Sequence, residues 1–247
     1  MKQEINQRPP PPKFNWNIYD HSSSDDTKTQ ISLQKSDKRR LKQVNLLVDE
    51  MLAKLSNNNI LNGINIENIR HQCIDLLDNS VIEKVKSKKY QSIACALIIQ
   101  SFRLLLIPLR IKEITQVLDC DEKQVRKILI QLNQIKPFDQ DAFTLQYMTR
   151  ICVAIGFNQK FQTLCRFFYS YLKNQNLVQG EHEHVIASAL VKSTGDFVFR
   201  DKGGINLNII SVNAGCCEIS LKNFLQKLQP HTQVMNEQAY EFYKKTM

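Results

Sequence analysis

Three observations on this 247-residue sequence predict an all-α fold. Gly is sparse, with 7 in the whole chain, which disfavours turn-rich β structure. Apolar residues recur at three- and four-residue spacing from Asp37 almost to the C-terminus. No strand-rich segment interrupts that pattern.

Residues 1–40 read as a disordered tail. The PPPP run at 9–12 favours an extended polyproline conformation, and HSSSDDTKTQ at 21–30 has little to bury. Within the tail, Phe14, Trp16, Ile18 and Tyr19 form an aromatic cluster holding the only Trp of the chain. Such a cluster either docks on a protein partner, where Trp and Tyr supply large contact area, or folds back on the chain's own core.

The first helix is expected from Asp37, with Leu41, Val44, Leu47, Val48, Met51, Leu52 and Leu55 on one face and SNNN at 56–59 as its end. Ile66, Ile69, Cys73, Leu76 and Leu77 outline a second. A basic connector, KVKSKKY at 84–90, leads into QSIACALIIQSFRLLL at 91–106, which is apolar on most faces and therefore reads as a central helix ended by Pro108. A short helix at 111–118, a tight turn and a longer helix at 122–135 follow, with Asp121 placed as N-cap. After Pro137 come amphipathic helices at 143–157 and 159–176, a small-residue helix at 184–193, and a hydrophilic loop around GDFVFRDKGG at 195–204. The segment 207–213, the turn AGCC and a helix at 218–228 close the series.

The second series repeats the first. ACALI at 94–98 lies opposite ASALV at 187–191, and VRKILIQL at 125–132 opposite LKNFLQKL at 221–228, at offsets of 93 and 96 that differ by a short insertion. The expected organisation is a tail over 1–40, repeats over 41–137 and 138–230 of about five helices each, and a C-terminal extension over 231–247.

Composition bounds the function. With 43% apolar and 23% charged residues the chain is ordinarily globular, while a net charge of +9 suits an acidic partner such as nucleic acid, an anionic surface or an acidic protein. The seven cysteines are odd in number and contain no C-x-x-C, so neither a disulfide framework nor a zinc ribbon is indicated. Most fall in apolar helical patterns, which suits a reducing compartment. No signal-peptide core or bilayer-length apolar run occurs, so the expectation is a soluble intracellular protein without a membrane role. No Gly-rich phosphate loop, no G-x-S-x-G and no Cys, His and acid grouping stands out, so no catalytic residues and no cofactor are expected.

On these residues the sequence resembles the tandem cyclin-box core of transcription factor IIB and its RNA polymerase III relatives. IACAL at 93–97, Arg103, Pro108, KEITQV at 112–117 and Val125 match the first repeat of that family; YMTRIC at 147–152, NLVQG at 176–180, the helix from Ala187 and AGCCEISLK at 214–222 match the second. The resemblance covers about 41–230 and implies two cyclin-like repeats, each ending in a helix-turn-helix-like pair. It also implies a non-catalytic nuclear role bridging duplex DNA and protein partners.

In the family, the last helix of the second repeat can enter the major groove, which assigns Ile219, Ser220, Lys222 and Asn223 to DNA. Lys222 stands where the family has a groove-reading arginine; lysine lacks the bidentate fork, so phosphate anchoring is the expected role. Lys227 on the same helix, and Lys123, Arg126 and Lys127 on the matching helix of the first repeat, are cations on polar faces suited to phosphate contacts. Lys86, Lys88 and Lys89 precede the first central helix, where the family is also basic.

The chain lacks the family's zinc ribbon and its polymerase-cleft segment. The expectation is therefore a specialised subunit of another nuclear assembly, in transcription initiation or in a DNA-modifying complex such as a DNA adenine methyltransferase. A cyclin-like regulatory subunit of a protein kinase shares the fold and is the alternative, but the first repeat lacks a convincing acidic and basic pair for kinase contact.

EHEH at 181–184 raises the possibility of a metal site. His182 and His184 lie two apart and are expected to diverge at a helix start, whereas zinc-binding helices space histidines by four. Glu181 and Glu183 suit the positive end of a helix. No metal is expected there.

Overall fold

The helical spacing in the sequence translates directly into backbone. The computed structural model describes residues 23–77 and 89–246. The aromatic cluster at 14–19, and Lys86 and Lys88, lie outside the described residues. The chain divides into two units, Met1–Arg39 and Arg40–Met247, and every packing contact below lies within the second. Among the described residues every regular element is an α-helix or a 3₁₀ turn, and no helix is long and apolar enough to cross a membrane.

Helix α1 spans Ser23–Asn57, so the expected start at Asp37 is too late and the polar stretch from Ser23 onward is helical rather than disordered tail. No Pro or Gly interrupts it, and each residue added to a nucleated helix gains one backbone bond. Val44, Val48, Met51, Leu52 and Leu55 form its buried face, as the spacing predicts.

Helix α2 (Ile66–Leu76) starts at Asn65, whose side chain accepts from the Glu67 and Asn68 amides, and buries Ile69, Cys73 and Leu76. Arg70 ties it to α1 through a bidentate pair with Asp49, Nε to Oδ1 at 2.7 Å and Nη2 to Oδ2 at 3.0 Å. Helix α3 (Tyr90–Leu104) is buried without a break from Ser92 to Phe102, so it is the expected central helix. Its Ala94, Cys95 and Ala96 leave room for α2, α4 (Ile111–Leu118) and α5 (Glu122–Ile135) to pack closely. These helices share one hydrophobic cluster.

A second cluster is built from α6 (Gln140–Ile155), α7 (Gln159–Asn174), α8 (Glu183–Val198), α9 (Leu207–Ala214), α10 (Glu218–Leu228) and α11 (Thr232–Thr246). Helix α8 is its centre, with Val185 to Val191 buried and α6, α7, α9 and α10 around it.

The hydrophilic loop expected at 195–204 begins too early, because α8 continues to Val198 before a 3₁₀ turn at Arg200–Lys202. Gly195, which reads as a breaker, is instead a packing residue: a Cβ there would lie 1.9 Å from Ile205 Cδ1. The C-terminal extension is also part of this cluster. Met235 and Ala239 of α11 are buried, and Phe242 stacks on Phe167 of α7 with ring centroids 4.6 Å apart.

Candidate functional site

Two short helices are each followed by a turn of the same kind and a second helix. In the first, α4 ends at Asp119 (φ 55°, ψ 49°), and the Cys120 amide donates to Thr115 O at 2.9 Å before α5 begins. In the second, α9 ends at Gly215 (φ 57°, ψ 35°), and the Cys216 amide donates to Ser211 O at 3.1 Å before α10 begins. Both short helices have 8 residues, and both turns use one left-handed residue to redirect the chain.

The caps differ. Asp121 accepts from the Lys123 amide at 3.0 Å, as its sequence position predicts, whereas Cys217 makes no side-chain cap and is exposed.

On α5 the candidate cations Lys123, Arg126 and Lys127 are exposed, and on α10 so are Ile219, Ser220, Lys222, Asn223 and Lys227. Several are paired within the chain: Arg126 with Glu122 at 2.7 Å, Lys222 with Glu218 at 3.4 Å, and Lys227 with Glu181. Lys123 and Lys127 make no ion pair among the described residues. Lys89 is the N-cap residue of α3 and is exposed. Lys222 shares a groove with Lys192 and Arg200, and the sequence reading had not singled out Arg200. Arg126 opens onto a different cleft, so the candidates do not line one continuous cavity.

That second cleft, of about 560 Å³, is lined by Arg103, Arg110, Lys112 and Arg126 together with His182 and His184. Arg110 joins it to an ion network that sequence reasoning missed. The Arg110 backbone N–H donates to Glu113 Oε2 at 3.1 Å, and its guanidinium Nε donates to Glu113 Oε1 at 2.9 Å. Arg150 of α6 reaches the same carboxylate at 3.2 Å and also donates to the Pro108 carbonyl. Arg110 Nη1 then donates to Gly215 O at 2.6 Å, across 105 residues of sequence. The start of α4 is thereby pinned to α6 and to the turn between α9 and α10. Burial pushes the Glu113 carboxyl upward, but the Arg110 donors and Arg150 outweigh it, so its pKa falls below the ordinary value. The local signal in the sequence is an acid three residues into a helix, placed to reach back to the N-cap amide.

The histidines of EHEH do not diverge. Their rings lie parallel, with centroids 5.6 Å apart and planes inclined by 16°. The expectation failed because His182 is the N-cap residue, with an extended backbone (φ −77°, ψ 143°), so helical spacing does not set its direction. Burial first, then His182, Arg110 and Arg126, lower the His184 pKa to about 4. Among the described residues no three His, Cys, Asp or Glu side chains are grouped to hold a metal. Glu183 opens α8, the position its sequence reading gave it.

No protein-family model matches the chain, and no curated protein matches it either.

Proposed function

We propose that the chain is a non-catalytic DNA-binding and scaffolding subunit of a larger nuclear assembly, built on two tandem cyclin-like repeats of the transcription factor IIB type. One observation carries this reading: the two helix pairs agree in the length of their first helix, in turn geometry and in register, and their second helices share one exposed basic position, Arg126 and Lys222.

At the offset of 96, Val125, Ile128 and Leu132 correspond to Leu221, Phe224 and Leu228, and all six are buried. Arg126 corresponds to Lys222 and Lys127 to Asn223, and all four are exposed. Ala94 to Ile98 and Ala187 to Val191, the segments that first suggested a repeat, are buried throughout.

The chemistry favours α10 over α5 as the helix closest to DNA. Asp121 already satisfies an amide of α5 and would repel a phosphate, whereas Cys217 leaves the first-turn amides of α10 without a side-chain acceptor. Lys222 would exchange Glu218 for a phosphate oxygen; an exposed helical pair of this kind contributes about 0.3–0.5 kcal/mol, so little opposes the exchange. Backbone contacts of this type position the protein and carry little sequence information. The host assembly would supply catalysis or polymerase contact, in transcription initiation or in DNA modification.

The test is fluorescence anisotropy with a labelled duplex over a salt series. Affinity should fall linearly on logarithmic axes as salt rises, because counterions are released from phosphates. Replacing Lys222→Glu together with Lys127→Glu leaves the Arg126 cleft intact and should abolish binding at moderate salt. Unchanged affinity would remove these helices from the DNA surface. Recovery of a protein kinase on purification from nuclei, with no DNA binding at low salt, would instead support the regulatory-cyclin reading.

A further inference from the structure

We infer that the cleft between α4, α5 and the start of α8 is a binding site for a phosphate monoester carrying an aromatic or apolar body. Four cations line it, Arg103, Arg110, Lys112 and Arg126; Glu183 is the one carboxylate of the lining, while Glu113 and Glu122 pair with Arg110 and Arg126. Arg103 is the telling member. Its guanidinium lies 4.9 Å from the centre of the Phe138 ring and makes no ion pair among the described residues. Burial lowers its pKa although the Glu183 carboxylate opposes that shift, so the cation is partly desolvated and not hydrogen-bonded to an acid.

Other features agree in sign. Helix α8 begins at the cleft with no side-chain cap on its first-turn amides, so its positive end adds to the field. His182 and His184, stacked on each other, also line the cleft, where a ring N–H can donate to an incoming anion. A carboxylate carries one charge, whereas a phosphate monoester near neutral pH carries close to two and presents three oxygens to Arg donors. The excess of cations therefore favours the phosphate. Apolar side chains of Leu109, Ile111, Leu129, Phe143 and Tyr147 form the remaining walls, and the volume lies within the range of small-molecule sites. A mononucleotide and a phosphotyrosine side chain share this chemistry.

The site is separate from the proposed DNA surface except for Arg126. The probe is phenyl phosphate, titrated into the full-length protein while the imidazole proton resonances of His182 and His184 are followed by NMR at fixed ionic strength. A saturable shift of those two resonances is expected, with the remaining three histidines unmoved. Benzoate should bind at least tenfold more weakly. Arg103→Gln should weaken the phosphate at least tenfold, and so should Lys112→Glu, a change at an exposed position that leaves the core untouched. Adenosine monophosphate and phosphotyrosine amide, compared directly, then identify the source. The inference is overturned if phenyl phosphate gives no saturable shift, if benzoate binds as tightly, or if folded Lys112→Glu protein binds as the parent does.

Discussion

Replacing Gly215 by Ala tests whether the contact between Arg110 and the second turn is energetic or incidental. A β-carbon at this position would lie 1.4 Å from Arg110 Nη1 and 1.7 Å from Cζ, so the guanidinium must leave. Two costs combine. An L-residue held at φ 57° is strained by about 1–2 kcal/mol, and losing a hydrogen bond from a charged donor costs about 1.5–3 kcal/mol. Because the guanidinium is the end of a flexible side chain and can find water, the lower part of the combined range applies, about 3 kcal/mol. At about 2–4 °C per kcal/mol for a chain of this size, Tm should drop by about 6–12 °C.

The discriminating measurement is a double-mutant cycle in urea. With Arg110→Ala already present there is nothing to displace, so Gly215→Ala should then cost only the backbone strain, about 1 kcal/mol. Coupling of about 2 kcal/mol between the two sites is the expected outcome. If Gly215→Ala costs the same in both backgrounds, the 2.6 Å bond contributes nothing and the clamp is a coincidence of packing.

Four further outcomes follow. His184 is held neutral with a pKa near 4 against an ordinary 6.5, so the unfolded chain takes up a proton first as pH falls; stability should decline by about 3 kcal/mol between pH 6.5 and 4, and His184→Gln should flatten that slope in denaturant titrations. Glu113, with a lowered pKa, stabilises the fold above the ordinary carboxylate value, and that contribution disappears as pH falls through its folded value. Its loss should therefore lie on the acid side of the His184 window, and Glu113→Gln should remove it. Gly195→Ala should destabilise by about 1–3 kcal/mol through overpacking against Ile205, although Ala normally favours a helix, and Ile205→Ala should rescue it in a thermal melt. Cys217 is the one exposed cysteine of seven, so a maleimide should label it first; under the proposed function duplex DNA should slow that labelling, and an unchanged rate would place DNA away from the start of α10.

Periodicity located most of the helices because it reports which face meets a core, and that information is local. Ile66, Ile69, Cys73 and Leu76 sufficed for α2, and Asp121 for the start of α5. What periodicity could not give depends on contacts distant in sequence. Gly195 looks like a helix breaker until Ile205 is known to lie against it. His182 and His184 diverge on an ideal helix, but the N-cap residue does not have helical angles. The start of α1 was missed for another reason: a polar helix without breakers has no apolar face to announce it before Asp37. Arg110, Glu113, Arg150 and Gly215 carry no joint signature, since nothing local in the sequence says that a guanidinium will find a carbonyl 105 positions away.

The network gives the molecule a specific connection between its cleft and its second turn. Arg110 is the N-cap residue of α4, and its guanidinium is shared between Glu113 and the carbonyl of Gly215 at the C-terminal end of α9. A cation at that end is favoured by the dipole of α9 as well as by the bond itself. Because the same side chain lines the cleft, any anion bound there competes with Gly215 for Arg110 donors. Arg150 and Glu113 would hold the side chain near its place while the bond to the turn weakens. By linkage, whatever the anion does to the position of α10, a ligand on α10 must do in equal measure to anion affinity. The two proposed ligands, a phosphate monoester in the cleft and duplex DNA at α10, would therefore meet at one guanidinium. Arg110→Ala would remove one donor from the cleft and the coupling with it, while leaving the cations of α10 untouched.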